Sequence, residues 1–191
     1  MRIFSGLYKK VMRWSRHPRA TSYLAGLSFA ESSFFPIPPD VMLAPMCLKQ
    51  PDKAWTFAAL TSVFSVLGGI LGFVLGAFFF DLVHPLIVSV GYEPTFDKLQ
   101  HWFNEWGIWI IFIAGFSPIP YKLFTISAGV FSMSFVAFVI ISLIARSARF
   151  FLVALLMKLG GEKLEKILLI YMDRLGLLTV FLIGLVLVLK N

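Results

Sequence analysis

The sequence is poor in the residues on which most soluble enzymes rely. Of 191 residues only Cys47 is a cysteine, which excludes an internal disulfide framework and a Cys-rich metal site, so the thiol reads as a small packed apolar group. Histidine is scarce as well. His17 lies in a basic N-terminal segment, and His84 and His101 have no third ligand at metal spacing, so no zinc site is expected. A Gly-rich phosphate loop, a nucleophile elbow and a His-Glu-x-x-His motif are all missing. Ser117, Thr125 and Ser127 lack a histidine base nearby in sequence and read as partners for freed backbone groups. The expectation is a protein without a cofactor or a catalytic constellation, hence not an enzyme. Charge is the last shortage: 14% of residues are charged, against roughly 25% in an average soluble domain. With a mean hydropathy of +0.85, a bilayer is the natural solvent. No Ser/Gly-rich or charge-rich linker divides the chain, so residues 1–191 read as one membrane domain.

The net charge of +7 gathers at the N-terminus, where Arg2, Lys9, Lys10, Arg13, Arg16 and Arg19 precede any long apolar run. Ile3/Phe4, Leu7/Tyr8, Val11/Met12 and Trp14 recur between them at helical spacing, setting an apolar stripe beside a cationic face. This predicts an amphipathic helix over 1–19 lying on anionic lipid rather than a nucleic-acid partner. The segment lacks the uninterrupted apolar core and small-residue cleavage site of a signal peptide, so the N-terminus is expected to be retained and cytoplasmic.

Long apolar runs are what the sequence has in quantity. Residues 54–80 contain neither charge nor proline, enough for a helix to span a ~30 Å hydrocarbon core with some tilt. A second run, Leu123 to Ala145, continues past Arg146 and Arg149 to Leu159, predicting a spanning helix over 133–159. A third, Ile167 to Leu189, is interrupted near its start by Asp173 and Arg174 and ends at Lys190, which can snorkel. Residues 160–191 are therefore expected to form an amphipathic link and a C-terminal spanning helix.

Two other apolar stretches are too short to cross. Ala20 to Phe35 ends in Pro36-Ile37-Pro38-Pro39, and Gly107 to Phe116 ends in Ser117-Pro118-Ile119-Pro120. Proline bars a continuous helix, so each is expected to enter as a half-helix, turn, and leave again. Re-entrant segments are thus predicted over 20–48 and 107–130, with Pro36, Pro38, Pro39, Pro118, Pro120 and Gly129 shaping the turns. Phe34-Phe35-Pro36-Ile37-Pro38-Pro39-Asp40 aligns with Phe116-Ser117-Pro118-Ile119-Pro120-Tyr121-Lys122, which exposes an internal repeat, 20–80 against 107–159. Between them, 81–106 carries Phe96, Leu99, Trp102, Phe103 and Trp106 at helical spacing, either on the outer interface or against the protein's own helices.

Loop charges set the orientation. Residues 1–19, 49–53 and 158–174 are basic, whereas Asp81, Glu93, Asp97 and Glu105 stand against Lys98 alone in the intervening segment. The positive-inside rule places the basic segments in the cytoplasm and the acidic one outside. The first re-entrant segment then dips in from the cytoplasm and the second from outside. The predicted fold is an all-α integral membrane protein of the inner membrane: an inverted-topology repeat of two facing re-entrant, Pro-broken helical hairpins, plus spanning helices. In that architecture the substrate site lies at the repeat interface.

Five ionisable residues lie in or beside apolar sequence: Glu31, Asp40, Lys122, Arg146 and Arg149. Each costs roughly 2.5–3.5 kcal/mol at a helix centre on insertion scales, so they should face one another or water. Lys122 holds the place in the second repeat that Asp40 holds in the first. Arg146 and Arg149 share one helix face, from which they could grip a phosphate, or snorkel to lipid phosphates. Glu31 could form a structural ion pair or cap, or bind and release a proton; Asp40 and Lys122 could be helix-terminal charges.

These residues resemble the DedA family, also called SNARE-associated or VTT-domain membrane proteins. Glu31-Ser32-Ser33-Phe34-Phe35-Pro36-Ile37-Pro38-Pro39-Asp40 is similar to its acidic-plus-proline first motif. Residues 116–122 with Ser127-Ala128-Gly129 resemble its second, and Arg146-Ser147-Ala148-Arg149 its paired arginines. The chain departs in having Lys122 where the family usually has arginine and Ser117 at a commonly basic position. The resemblance implies two facing re-entrant loops and translocation of a lipid phosphate, undecaprenyl phosphate in some members and phospholipids in others, often driven by the proton-motive force. Lys122, Arg146 and Arg149 would then neutralise the head group, with Glu31 and Asp40 taking up protons or organising the basic residues. A membrane lipid and protons are the implied partners, and a homo-oligomer is compatible. The competing readings are a proton-coupled exchanger of small cations or drugs, with the acids central, and a membrane assembly factor without transport.

Overall fold

The structure, a computed structural model, describes residues 17–33, 35, 37–89, 93–117 and 120–160. The amphipathic helix expected over 1–19, save its last three residues, and the C-terminal span expected within 160–191 lie outside them. The described residues are helical and contain no strand. In chain order the helices are α1 (Ala20–Ser33), α2 (Asp40–Lys49), α3 (Ala54–Ser89), α4 (Glu93–Phe116), α5 (Tyr121–Val130) and α6 (Phe135–Gly160), with a 3-10 turn, Pro51–Lys53, before α3. Two stretches, 51–80 and 135–160, are long and apolar enough to cross a membrane.

The prolines punctuate as chemistry requires. α2 begins immediately after Pro39 and α5 immediately after Pro120, positions where a missing N–H costs no helical bond. The element order therefore reads the same way twice: a helix, a Pro-rich break, a helix of 10 residues, a short connection and a long apolar helix. The second short helix closes with a complete Schellman motif. The N–H of Ser132 bonds the Gly129 carbonyl at 3.1 Å and that of Met133 the Ala128 carbonyl at 3.0 Å, with Ser132 left-handed at φ 55°.

Two boundaries differ from the sequence expectation. α3 does not stop at Phe80 but runs through Pro85 to Ser89, 36 residues or about 54 Å. That exceeds a hydrocarbon core, so its last turns project beyond, where water can serve the carbonyl that Pro85 frees. Residues 93–116 form one unbroken helix, joining the segment expected to end at 106 to the half-helix expected to start at Gly107. Gly107 is no break: a Cβ there would lie 3.0 Å from the Phe103 ring. The aromatics of this helix divide between both readings. Phe96 and Phe103 are buried, Phe96 stacked on Phe80 and Phe103 packed at a tilt on Phe131, while Leu99, Trp102 and Trp106 face outward.

α3 is the central post, with α1 and α5 both packed along it. A Cβ on Gly68 would overlap the Phe29 carbonyl oxygen of α1, and one on Gly76 that of Ile126 on α5. Backbone meets backbone at both crossings, the close approach small residues permit where lipid tails supply no hydrophobic drive. One apolar cluster joins the start of α1 (Ala20, Leu24), the end of α2 (Cys47), the start of α3 (Ala54, Phe57) and the end of α6 (Met157). A second joins Phe73, Phe103, Ile111, Tyr121 and Phe138 from α3, α4, α5 and α6. Many large apolar side chains point outward, among them Phe78, Trp109, Val136 and Ile144, as befits a surface solvated by lipid.

Candidate functional site

Between the two clusters lies a layer of buried charge. Arg146 stands 11 residues into α6 and 14 before its end, about 16 Å and about 21 Å from the two ends. It is 1% exposed. A guanidinium so placed is tolerable only if its donors are met. Its Nη2 donates to Glu31 Oε2 at 2.7 Å and its Nε to Ser65 Oγ at 2.6 Å, with Nη2 also 3.4 Å from Ser32 Oγ. Ser32 and Ser65 lie 2.7 Å apart, and Ser32 Oγ is 3.1 Å from Glu31 Oε2. A carboxylate only accepts, so Ser32 donates to Glu31 and Ser65 must donate to Ser32. The bonds close a ring: Arg146 to Ser65, Ser65 to Ser32, Ser32 to Glu31, and Glu31 back to Arg146. The Tyr121 and Phe150 rings lie against the guanidinium at 4.8 and 4.7 Å. The Tyr121 hydroxyl is itself anchored on Ser142 Oγ.

Arg149, one turn further along α6, is held more simply. Its Nη2 donates to Asp40 Oδ2 at 2.7 Å and its Nη1 to the Ser117 carbonyl. Asp40 is 1% exposed and sits in the first turn of α2, where a helix N-terminus favours an anion. Its second oxygen, Oδ1, is buried and has no hydrogen-bond partner among the described residues. Lys122, half-buried in the first turn of α5, donates to the Phe35 carbonyl at 3.4 Å. Arg149 thus spans from the Asp40 end of the first break to the Ser117 end of the second, and Lys122 spans back.

Several sequence expectations can be placed against this geometry. The acids and the arginines do come together, in two pairs. Neither arginine snorkels outward; both are buried. The cation hydrogen-bonded to Asp40 is Arg149, not the repeat-related Lys122. Pro36 and Pro118 lie outside the described residues, and Pro38, Pro39 and Pro120 lead into α2 and α5. Gly129 is not a turn residue: it lies inside α5, where a Cβ would overlap the Phe73 carbonyl oxygen of α3. The residues that sequence reading missed are Ser32, Ser65, Tyr121, Ser142 and Phe150. Ser65 carried a signal, standing in the charge-free run 54–80 one turn before Gly68 and on its face. A separate cavity of about 390 Å³ between α4 and α5, lined by Phe103, Ile110, Phe124 and Phe131 among others, contains no charged residue and is apart from the arginines.

Comparison with known proteins adds a lineage. An uncharacterized protein of Haemophilus influenzae is 48% identical over 163 residues, 85% of each chain. One from Methanocaldococcus jannaschii is 26% identical over 124 residues, 64% of this chain and 74% of its own. The undecaprenyl phosphate transporter A of Staphylococcus aureus is 45% identical over 47 residues, 25% of this chain and 23% of the transporter. No solved structure matches the chain. The VTT domain matches residues 35–159, from the first Pro-rich break to the end of α6, and so takes in Asp40, Lys122, Arg146 and Arg149. The chain belongs to the VTT-domain, or DedA, family of membrane proteins.

Proposed function

We propose that this protein moves a phosphate-bearing lipid, such as undecaprenyl phosphate or a phospholipid, across the bacterial inner membrane. The observation that carries the reading is the pair of arginines buried half-way along an apolar helix, held between two Pro-broken hairpins rather than facing lipid. Nothing in apolar packing requires two guanidiniums at that depth, and an intramembrane charge is a functional site by default. A phosphate passing between the breaks would meet the positive potential of Lys122, Arg146 and Arg149. Glu31 and Asp40 hold that potential in place when no ligand is present and are the groups available for proton coupling. The local likeness to a named undecaprenyl phosphate transporter points the same way.

The mechanism rests on a topology that we also propose: α1 with α2, and the inner part of α4 from residue 107 with α5, re-entrant from opposite faces in an inverted repeat of 20–80 and 107–159, the first turns of α4 extending the second hairpin outward. In support, the start of α1, the end of α2 and the start of α3 share one cluster with the end of α6. Trp55 and Lys158 meet at 5.8 Å, so the basic segments around 49–53 and 158 lie at one end. Phe80, His84, Phe96 and Phe131 gather at the other. The basic end with the N-terminus is then cytoplasmic.

The test is protein in liposomes carrying fluorescent lipid phosphates, scored by how fast an external quencher reaches label from the inner leaflet. Wild type should speed this exchange and Arg149→Gln should not. No protein-dependent exchange with any of several lipid phosphates overturns the reading; proton-coupled uptake of small cations in its place would favour an exchanger.

A further inference from the structure

The two buried arginines hold their partners in different ways, and the difference divides their labour. Arg146 is inside a closed ring that engages its Nε and Nη2 with Ser65, Ser32 and Glu31, with two aromatic rings against the guanidinium. A ligand oxygen that displaced Glu31 from it would disturb several linked bonds at once. Among the described residues Arg149 meets one carboxylate oxygen and one backbone carbonyl, and the carboxylate that holds it has its second oxygen, Asp40 Oδ1, buried with no hydrogen-bond partner there. A phosphate presents several oxygens and can take a guanidinium through two parallel bonds where Asp40 offers one. Arg149 is also the group between the breaks, with Lys122 and the N-terminal turn of α5 beside them. A cation in the first turn of a helix adds to the positive end of its dipole, so this side favours an anion.

From this we infer that Arg149 is the residue that receives the phosphate, by exchange with Asp40, and that Arg146 is a positioning residue that never contacts it. Asp40 acts as the built-in occupant of the phosphate position, keeping Arg149 neutralised until a ligand displaces it. The inference rests on the lipid-phosphate reading and adds a sign that the reading alone does not give. Removing the charge of Asp40 strengthens ligand binding, because a competitor is lost. In Asp40→Asn the amide oxygen still accepts from Arg149, so the fold keeps its bond, and the amide N–H₂ becomes a donor toward the ligand.

Binding of dihexanoyl phosphatidic acid to the full-length protein in neutral detergent, followed by calorimetry, tests this, with dihexanoylglycerol and inorganic phosphate as comparison probes. Asp40→Asn should bind the phosphatidic acid about tenfold more tightly than wild type, the scale of one charge-assisted hydrogen bond. Arg149→Gln should bind at least about tenfold more weakly; it leaves Asp40 without its cation and should melt below wild type, so its binding is read well under its own melting temperature. Arg146→Lys should lower the melting temperature more than Arg149→Lys does. Weaker binding by Asp40→Asn, or unchanged binding by Arg149→Gln, overturns the exchange even if wild type binds and transports. Should Asp40→Asn fail to fold, Arg149→Gln decides alone. Inorganic phosphate binding as tightly as the lipid would overturn the lipid head group as the ligand. No binding by wild type would overturn the underlying reading, and the exchange with it.

Discussion

The two Pro-broken hairpins are fastened to α3 by the same device and differ in what they carry at their breaks. α1 lies on Gly68 and α5 on Gly76, eight residues apart on one helix, each through a carbonyl oxygen where a Cβ would be. Gly72 lies between them, facing Ser32 of the first and Thr125 of the second. Packing is therefore shared, while charge is not: the first hairpin carries Glu31 and Asp40, the second Lys122. The arginines of α6 answer the first hairpin with ion pairs and the second with a backbone carbonyl and an aromatic ring. Fastening and recognition are thus separable, and substitutions can break one without the other.

The largest effect should come from the first hairpin's charge. Glu31→Ala leaves Arg146, 1% exposed, with no carboxylate and opens the hydrogen-bond ring at its acceptor. Removing one partner of a buried pair costs about 3–5 kcal/mol, which for a chain of this size is on the order of 10 °C in melting temperature. Asp40→Ala should cost less, because Arg149 keeps the Ser117 carbonyl. Thermal melts of the two variants in the same detergent check the order; equal losses would remove the distinction between a closed ring and a single pair.

Next come the fastenings. Gly68→Ala and Gly76→Ala each force a methyl group into a carbonyl oxygen of the opposing helix, an overpacking of about 1–3 kcal/mol. The comparison predicts similar losses at both crossings, with phosphate binding to the remaining folded protein little changed. A loss at only one crossing would show that the hairpins are fastened by different means.

A smaller effect marks the second hairpin's contact with the charge layer. Tyr121 is fully buried, its ring against Arg146 and its hydroxyl on Ser142. Tyr121→Phe keeps the ring and removes one hydrogen bond, about 1 kcal/mol. Tyr121→Leu removes both and shrinks a packed side chain, so it should melt lower still, the difference containing the cation–π contact together with the lost packing.

Much of this was legible in the sequence, for definite reasons. The long apolar runs and the Pro-Ile-Pro breaks are local signals, and they placed α3, α6 and both interruptions. The cost of burying charge predicted that Glu31, Asp40, Arg146 and Arg149 would find one another. Which acid meets which arginine was not legible, since Glu31 and Asp40 are candidates for both until the register of α1 against α3 is fixed. That register is set by Gly68 and by Ser32 meeting Ser65, contacts between residues far apart in sequence. Gly129 was misplaced because it stands in the Ser127-Ala128-Gly129 motif that follows the second Pro-rich break and reads with that turn, whereas here its missing Cβ serves helix crossing. The continuity of α4 across Gly107 was hidden in the same way, by a residue type that breaks helices in isolation and is tolerated where a packed ring needs the space.

The smallest expected change concerns how each hairpin hands over to its long helix. The first does so through Gln50 at φ −133° and a Pro-led 3-10 turn, with no left-handed residue. The second needs Ser132 at φ 55° to close the Schellman motif, a conformation that costs a non-glycine residue about 1–2 kcal/mol. Ser132 is exposed, so Ser132→Gly relieves that cost without touching a neighbour. The gain is offset in part by the greater freedom of glycine in the unfolded chain, about 0.5–1 kcal/mol. The net stabilisation should be a few tenths of a kcal/mol to about 1 kcal/mol. Ser132→Ala keeps the strain and should show no such gain. Glycine at Gln50, where the backbone is already extended, should only lose. A rise in melting temperature at 132 and a fall at 50 would place the strain in the second connection alone, and a rise at neither would deny that the left-handed serine is strained.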